Sequence, residues 1–461
     1  MSVARAIGTS AGEQSIDAWT LFSAIRPAPS SSVLITVRPS RTLINRLSGA
    51  GQDCLKPRPG ASAGWGRIVA VGAAADLAAW AHGLQPTAAE QQLADRSLRD
   101  TLGCTVAGRH HPVAALAAEL SEGGRWAAVG HVLDYDDLHM PSTAHVSVVC
   151  VPAVLAAGGD GRAYLAAAGV MARIGTALGW AHYSAGWHAT CTAGASAAAV
   201  GVAMTLGLDA DQIATAMALA VPGASGVQRA FGTDAKSLQV GFAVDTGTRA
   251  ARLAAAGARA DVAALDDWLA LMGAGPIELS GPAVPDGLAI KLHPCCYALQ
   301  RPIAALRQVK VAEADVRRIV VRTPAATVVP LIHPRPKTGL EGKFSLEYAI
   351  AATLLDGWPG FASFTDDAVQ RPAAQDLLAR VEVDLTAGGN GLLDGDFVAE
   401  LHLADGTVTT VREVHPPGSP PNPPTDEQLA AKLADCLDAA DVDPSTWTWP
   451  SAPSVLRTAL A

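Results

Sequence analysis

Thr192-Ala-Gly-Ala-Ser-Ala-Ala-Ala-Val-Gly-Val-Ala-Met-Thr-Leu206 is followed by Gly207-Leu-Asp-Ala-Asp-Gln212 and Ile213-Ala-Thr-Ala-Met-Ala-Leu-Ala220, and this run decides the fold class. Small residues without strand alternation read as a buried helix, because Ala loses little on ordering and lets another backbone come close. Gly207 closes that helix. Asp209, with Gln212 three residues on, forms a capping box that starts the next one. Helix, short Gly/Asp turn, helix is the pattern of an antiparallel pair.

The same signals extend on both sides. Pro86-Thr-Ala-Ala-Glu90 carries another capping box, and Leu93, Leu98, Leu102 and Val106 follow at roughly helical spacing up to Gly108. A helix is expected over His111 to Leu120, stopped by Gly123-Gly124, and others over Val151 to Ala157, Arg162 to Trp180 and Lys236 to Gly257. From Ala73 to about Met272 no segment reads as a strand. The expectation is an all-helical domain over residues 73–275.

Beyond it the period changes. Val316 to Arg322 and Arg380 to Leu385 alternate as strands, and Phe397 to Leu403 with Thr407 to Val414 form a hairpin around Asp405-Gly406. Helices are expected over Phe344 to Leu355 and Asp366 to Leu378. Residues 276–415 therefore read as a smaller α+β lid domain, in a fold that is mainly α. Residues 416–461 begin in a proline-rich stretch, and Thr425 then caps a helix to Leu437 that returns to the helical domain. Residues 1–72 are rich in Ser, Pro and Arg and poor in acids. They read as a poorly ordered extension or a targeting peptide, and are set aside.

At 461 residues two or three folding units are expected. A net charge of −9 argues against a nucleic-acid partner. Val148 to Ala157 and Ala193 to Leu208 are the longest apolar runs, too short to span a membrane. Seven scattered cysteines, with no C-x-x-C pair, suggest free thiols in a reducing, cytoplasmic setting and no metal site.

Against this apolar background stands Asp134-Tyr-Asp-Asp-Leu-His-Met-Pro-Ser-Thr-Ala-His145, with three carboxylates and two imidazoles in twelve residues. Such a stretch is costly to bury unless its charges are paired or used. Apolar segments flank it, so it is expected to press into the body of the protein; a solvated acidic loop is the alternative.

The chain resembles the MmgE/PrpD superfamily, which includes 2-methylcitrate dehydratase, cis-aconitate decarboxylase and iminodisuccinate epimerase. The pieces that carry the resemblance are Asp100-Thr-Leu-Gly103, Asp134 to His145, Gly186-Trp-His-Ala-Thr190 and Thr192-Ala-Gly194. Gly232 to Lys236, Lys291 to Cys296, Gly339 to Ala352 and His415-Pro-Pro-Gly-Ser-Pro420 follow in family order. The resemblance implies a helical domain with an α/β lid, a homodimer, and no metal or organic cofactor. It also implies proton removal beside a carboxylate of a small di- or tricarboxylic acid. That chemistry suits a lyase of the 2-methylcitrate dehydratase type, with an epimerase as the alternative and a catalytically inactive relative as a third reading.

By position, the resemblance marks His145 and His188 as acid/base groups, with Asp134 orienting an imidazole. Lys236 and Lys291 become holders of substrate carboxylates, and Arg335 and Lys337 offer a basic loop that meets substrate anions or is merely solvated. His139, His182 and His293 stay open between site and core, and Cys295-Cys296 reads as packing. The chain departs from the family at Leu138, where a threonine is common, at Gln239, where a histidine is common, and in having no tyrosine between Val328 and Gly339. The interval from Gly108 to Asp134 is short, as if a helix were lost and Trp126 to Gly130 were its remaining end.

Overall fold

A computed structural model describes residues 72–387, 389, 391–437 and 443–461. Expectations for the first 71 residues fall outside the described part. The longer helices of the first half are α1 (Ala73–Gly83), α2 (Ala88–Gly108), α3 (Glu122–His131), α4 (Ser147–Ala157), α5 (Gly161–Ser184), α6 (Ala189–Thr205), α7 (Ala210–Ala220), α8 (Asp234–Ala255) and α9 (Ala263–Leu271). Both capping boxes form: Thr87 with Glu90 starts α2, and Asp209 with Gln212 starts α7. α6 is buried along nearly its whole length, against α5, α7 and α8.

Glycines set how close these helices come. A methyl group on Gly247 of α8 would lie 2.5 Å from the carbonyl oxygen of Ala195 on α6, so the backbones touch there. Gly123 and Gly124 correct the sequence reading. They do not stop a helix but lie inside α3, where a side chain on Gly124 would strike Asp245 of α8. The expected helix over His111 to Leu120 is shorter, Val113–Leu116 with a 3-10 turn Ala117–Glu119. Trp126 to Gly130, read as the end of a lost helix, form the C-terminal half of α3, which closes at His131.

The second half holds a four-stranded mixed sheet of β1 (Val316–Pro324), β2 (Val381–Thr386), β3 (Phe397–Leu403) and β4 (Val408–Glu413). The order is β2-β1-β3-β4, with β1 parallel to β2 and antiparallel to β3, and β3 antiparallel to β4. Helices α10 (Leu346–Asp356) and α11 (Pro372–Ala379) belong to this half. The single helix expected over Asp366 to Leu378 is two, because Pro372 cannot donate within a helix and starts a new one instead. Ile319, Val321, Phe397, Ala399 and Leu401 meet buried residues of α10 and α11 in a second apolar core, separate from that of the first half.

The last helices are α12 (Asp426–Leu437) and α13 (Ala452–Ala459). α12 packs on α2, fastened by a buried pair in which Lys432 Nζ lies 2.6 Å from Asp100. Among the described residues no helix is long and apolar enough to cross a membrane.

Candidate active site

The acidic loop follows α3 directly and is buried, which excludes the solvated alternative. It runs beside residues 289–292: Leu138 exchanges backbone hydrogen bonds with Ala289. Asp137 is spent on structure. Its carboxylate accepts the backbone N–H and the hydroxyl of Ser147, which supplies the missing cap of α4. Burial pushes that carboxyl up to about 7.

The remaining charges close into a ring. Asp134 Oδ1 accepts from Lys236 (3.0 Å) and Lys291 (2.8 Å). Lys236 Nζ also lies 2.6 Å from His131 Nε2, and His131 Nδ1 lies 2.9 Å from Asp136 Oδ2. An ammonium has no lone pair, so His131 Nε2 must accept and its hydrogen sits on Nδ1, facing Asp136. His145 completes the circuit with Nδ1 2.9 Å from Asp136 Oδ2 and Nε2 3.7 Å from Asp134 Oδ1. The Nδ1 contact is short but lies off the ring's N–H direction, so it is an ion-pair distance rather than an aligned hydrogen bond.

Burial would push the Asp134 carboxyl up, but Lys236 and Lys291 outweigh it and hold it well below the carboxylate range. Burial likewise opposes ionisation of Asp136, and His131 and His145 outweigh it. The imidazoles move the other way: burial lowers His145 to about 3 and holds His131 and His188 below their usual value.

His188 stands at the start of α6 and lines the same cavity as His145. Gln239 fixes its tautomer. Gln239 Oε1 accepts from the backbone N–H of Val227, so its amide NH₂ faces His188 Nδ1 at 2.7 Å. The hydrogen of His188 therefore sits on Nε2, a buried atom that finds no protein partner among the described residues. The His145 and His188 ring centres are 6.5 Å apart.

Asp134, His145, His188 and Lys236 line one narrow cavity with Leu138 and Cys296. Its free volume is about 10 Å³, room for about one water. Lys291 lies behind Asp134 and is fully buried. Arg335 and Lys337 do not join this cluster: both are exposed, and Arg335 faces Glu347 at 4.0 Å. His139 and His293 bond backbone carbonyls, and His182 bonds Thr192, so all three are satisfied within the core.

Sequence reasoning missed His131 and Asp136. The signal for His131 was a histidine one helical turn before the acidic loop, and Asp136 lay within that loop but was not assigned a role. Four possible ligand atoms, from His131, Asp134, Asp136 and His145, lie within 4.8 Å of one another. Lys236 occupies the lone pair of His131, and two ammoniums share one oxygen of Asp134. The donor set thus faces cations already in place and suits a further cation poorly.

Residues 124–272 match the family model of the MmgE/PrpD N-terminal domain, and residues 293–443 that of its C-terminal domain. The chain belongs to the MmgE/PrpD family. It is also similar to a human protein described as cis-aconitate decarboxylase, 28% identical over 218 residues, or 43% of this chain and 45% of that protein. The match thus spans under half the length of that curated relative. The mainly helical fold with a small mixed sheet is that of an MmgE/PrpD protein, with the N-terminal family match on the helical half and the C-terminal match on the half that carries the sheet.

Proposed function

We propose that this MmgE/PrpD protein is a cofactor-independent lyase that removes water from a small di- or tricarboxylic acid, as a 2-methylcitrate-type dehydratase does. The observation that carries this reading is the pair of histidines on one cavity wall, placed in opposite electrostatic settings. His145 sits between two carboxylates, which offset only part of the burial that lowers it to about 3 and favour the imidazolium it becomes on taking a proton. His188 has Lys236 and His131 as neighbours, stays neutral, and offers Nε2–H as a donor.

In elimination, His145 takes the proton from the carbon next to a carboxylate. The electron pair left behind forms the carbon–carbon double bond as the neighbouring C–O bond breaks. His188 donates a hydrogen bond from Nε2–H to the departing hydroxyl, and the proton held by His145 passes to that hydroxyl, which leaves as water and returns His145 to its neutral form. Lys236, on the cavity wall, binds a substrate carboxylate and offsets the charge that develops on it. Lys291 acts through Asp134 instead, keeping it ionised and in place. The name of the human relative, a decarboxylase of a tricarboxylate, supports the substrate class.

An epimerase is the second reading, favoured by the 6.5 Å between the imidazole centres, which leaves room for one carbon between two proton carriers. Incubation in deuterated water with 2-methylcitrate, citrate, cis-aconitate, iminodisuccinate and related diacids, followed by NMR, tests both. Loss of water from one acid supports the dehydratase. Deuterium entering the α-carbon without elimination favours the epimerase, and binding without exchange or turnover would overturn both.

A further inference from the structure

Three consecutive carbonyls at the start of the acidic loop each accept a hydrogen bond from a different buried lysine. Lys343 donates to Leu133 O (2.9 Å), Lys291 to Asp134 O (2.9 Å) and Lys432 to Tyr135 O (2.8 Å). The three lysines come from distant parts of the chain: Lys343 just before α10, Lys291 in the segment beside the acidic loop, and Lys432 on α12. Two of them have carboxylate partners, Lys291 in Asp134 and Lys432 in Asp100. Lys343 has none at ion-pair distance among the described residues. It is 3% exposed, and its other hydrogen bond goes to Pro294 O, at 2.5 Å.

A buried ammonium held by two carbonyl dipoles and the face of Phe364, 4.9 Å from the ring centre, with no carboxylate at ion-pair distance, is costly to desolvate. Lys343 is therefore to be explained by what it holds. Leu133 precedes Asp134, whose φ of +54° is unusual for a residue other than Gly and is kept only when the surroundings impose it. Pro294 lies three residues after Lys291, the partner of Asp134. Lys343 thus grips the chain on both sides of the Asp134–Lys291 pair.

A cleft of about 880 Å³ lies beyond the same residues. Leu133, Gly232 and Lys343 line it, and their chain neighbours Asp134, Phe231 and Phe344 line the narrow cavity. The wall between the two spaces is made of these three junctions, with Phe231 stacked on Phe344 and Lys343 bonded across it.

We infer that Lys343 is a positioning residue, the fastening by which the sheet-bearing half sets the backbone of Asp134 and shuts the wall between cleft and cavity. It touches no substrate. It acts when the lid is seated, so the catalytic carboxylate takes its working geometry only in the closed protein. Facing Lys343 are Cys295 and Lys291 on the segment beside the acidic loop, Asp134 on the loop, Lys236 on α8, and His111 in the cleft. Burial lowers the ammonium to about 8, so the fastening loosens as pH rises past that value.

The inference rests on the proposed site but is tested without a substrate. Hydrogen exchange of the full-length protein is followed by mass spectrometry in the wild type and in Lys343→Met. The variant is expected to unfold cooperatively with a melting temperature near that of the wild type, because relief of the buried charge offsets the loss of the donor to Leu133 O and Pro294 O. Protection of residues 132–138 and 290–297 is expected to drop about tenfold, with α6 unchanged. Wild-type protection of residues 132–138, corrected for intrinsic exchange, is expected to fall as pH passes about 8. Lys343→Arg, which keeps the charge, should restore most of the protection. With a substrate in hand, kcat should fall in Lys343→Met while KM stays near the wild-type value.

Unchanged protection of both segments in a folded Lys343→Met protein would overturn the inference. A large drop in melting temperature with uniform loss of protection would also do so, by showing a purely structural role. If Lys343→Met does not fold, a wild-type exchange profile that is flat from pH 7 to 9 overturns it instead. Turnover failing with every acid, while the exchange result holds, would count against the proposed function and leave the fastening intact.

Discussion

The two halves of this protein use the same charged residues in opposite ways. On the sheet, Arg318 pairs with Glu382 and Arg322 with Glu400 at 2.5 and 2.6 Å, in exposed or half-exposed positions on strand faces. In the helical half, Asp134, Asp136, Lys236, His131 and His145 are buried and joined in one circuit. Water screens the first set, so each pair is replaceable. The second set has only itself for solvent, and the loss of one member strands the others.

Asp134→Ala tests this contrast most severely. It leaves Lys236 and Lys291 without their shared carboxylate, and denaturant unfolding should show a loss of about 3–5 kcal/mol. A loss below about 1 kcal/mol would mean that the lysines find another partner, and the contrast would fail. His145→Gln and His188→Gln remove the two imidazoles while keeping a polar side chain. Each should lower turnover by about 10²- to 10⁴-fold, with a melting temperature close to the wild type.

Acid should find the helical half first. A histidine held below its unfolded value stays neutral in the fold while the unfolded chain takes up a proton. Stability from this source is complete above about pH 6.5 and is lost as pH falls toward the folded value, about 3 for His145. Each such histidine costs about 1.4 kcal/mol per pH unit over that range. Asp134 and Asp136, both depressed, add a further loss below the usual carboxylate range. Asp137 works in the opposite sense between 3.8 and about 7, since it keeps its proton in the fold. Melting temperature measured from pH 7 to pH 4 should therefore fall, and His145→Gln should flatten the slope.

Two smaller effects sharpen the comparison. Gly247→Ala pushes a methyl group against the Ala195 carbonyl and should cost about 1–3 kcal/mol by thermal or chemical unfolding. Arg318→Ala on the sheet should give no resolvable change in melting temperature, at low salt or high.

The same contrast explains what the sequence could tell. Periodicity and caps are local, so the strands and the starts of α2 and α7 are legible from a few neighbouring residues. The acidic loop is legible because its composition breaks so sharply with its surroundings. Gly123 and Gly124 misled because their meaning is tertiary: the contact that demands them is on α8. His131, Lys343 and Lys432 carry no local signal, because their partners lie 100 to 300 positions away. The family resemblance pointed to Lys236 and Lys291, but only the fold shows that one faces the cavity and the other stands behind Asp134.

A chamber with room for about one water cannot admit a tricarboxylic acid without opening. Capture of the substrate and movement of the wall are then one event, and affinity depends on how often the wall is open. If the open form is a minor population, the measured dissociation constant exceeds the intrinsic one by the inverse of that fraction. A substitution that props the wall open would then bind its acid more tightly and convert it more slowly.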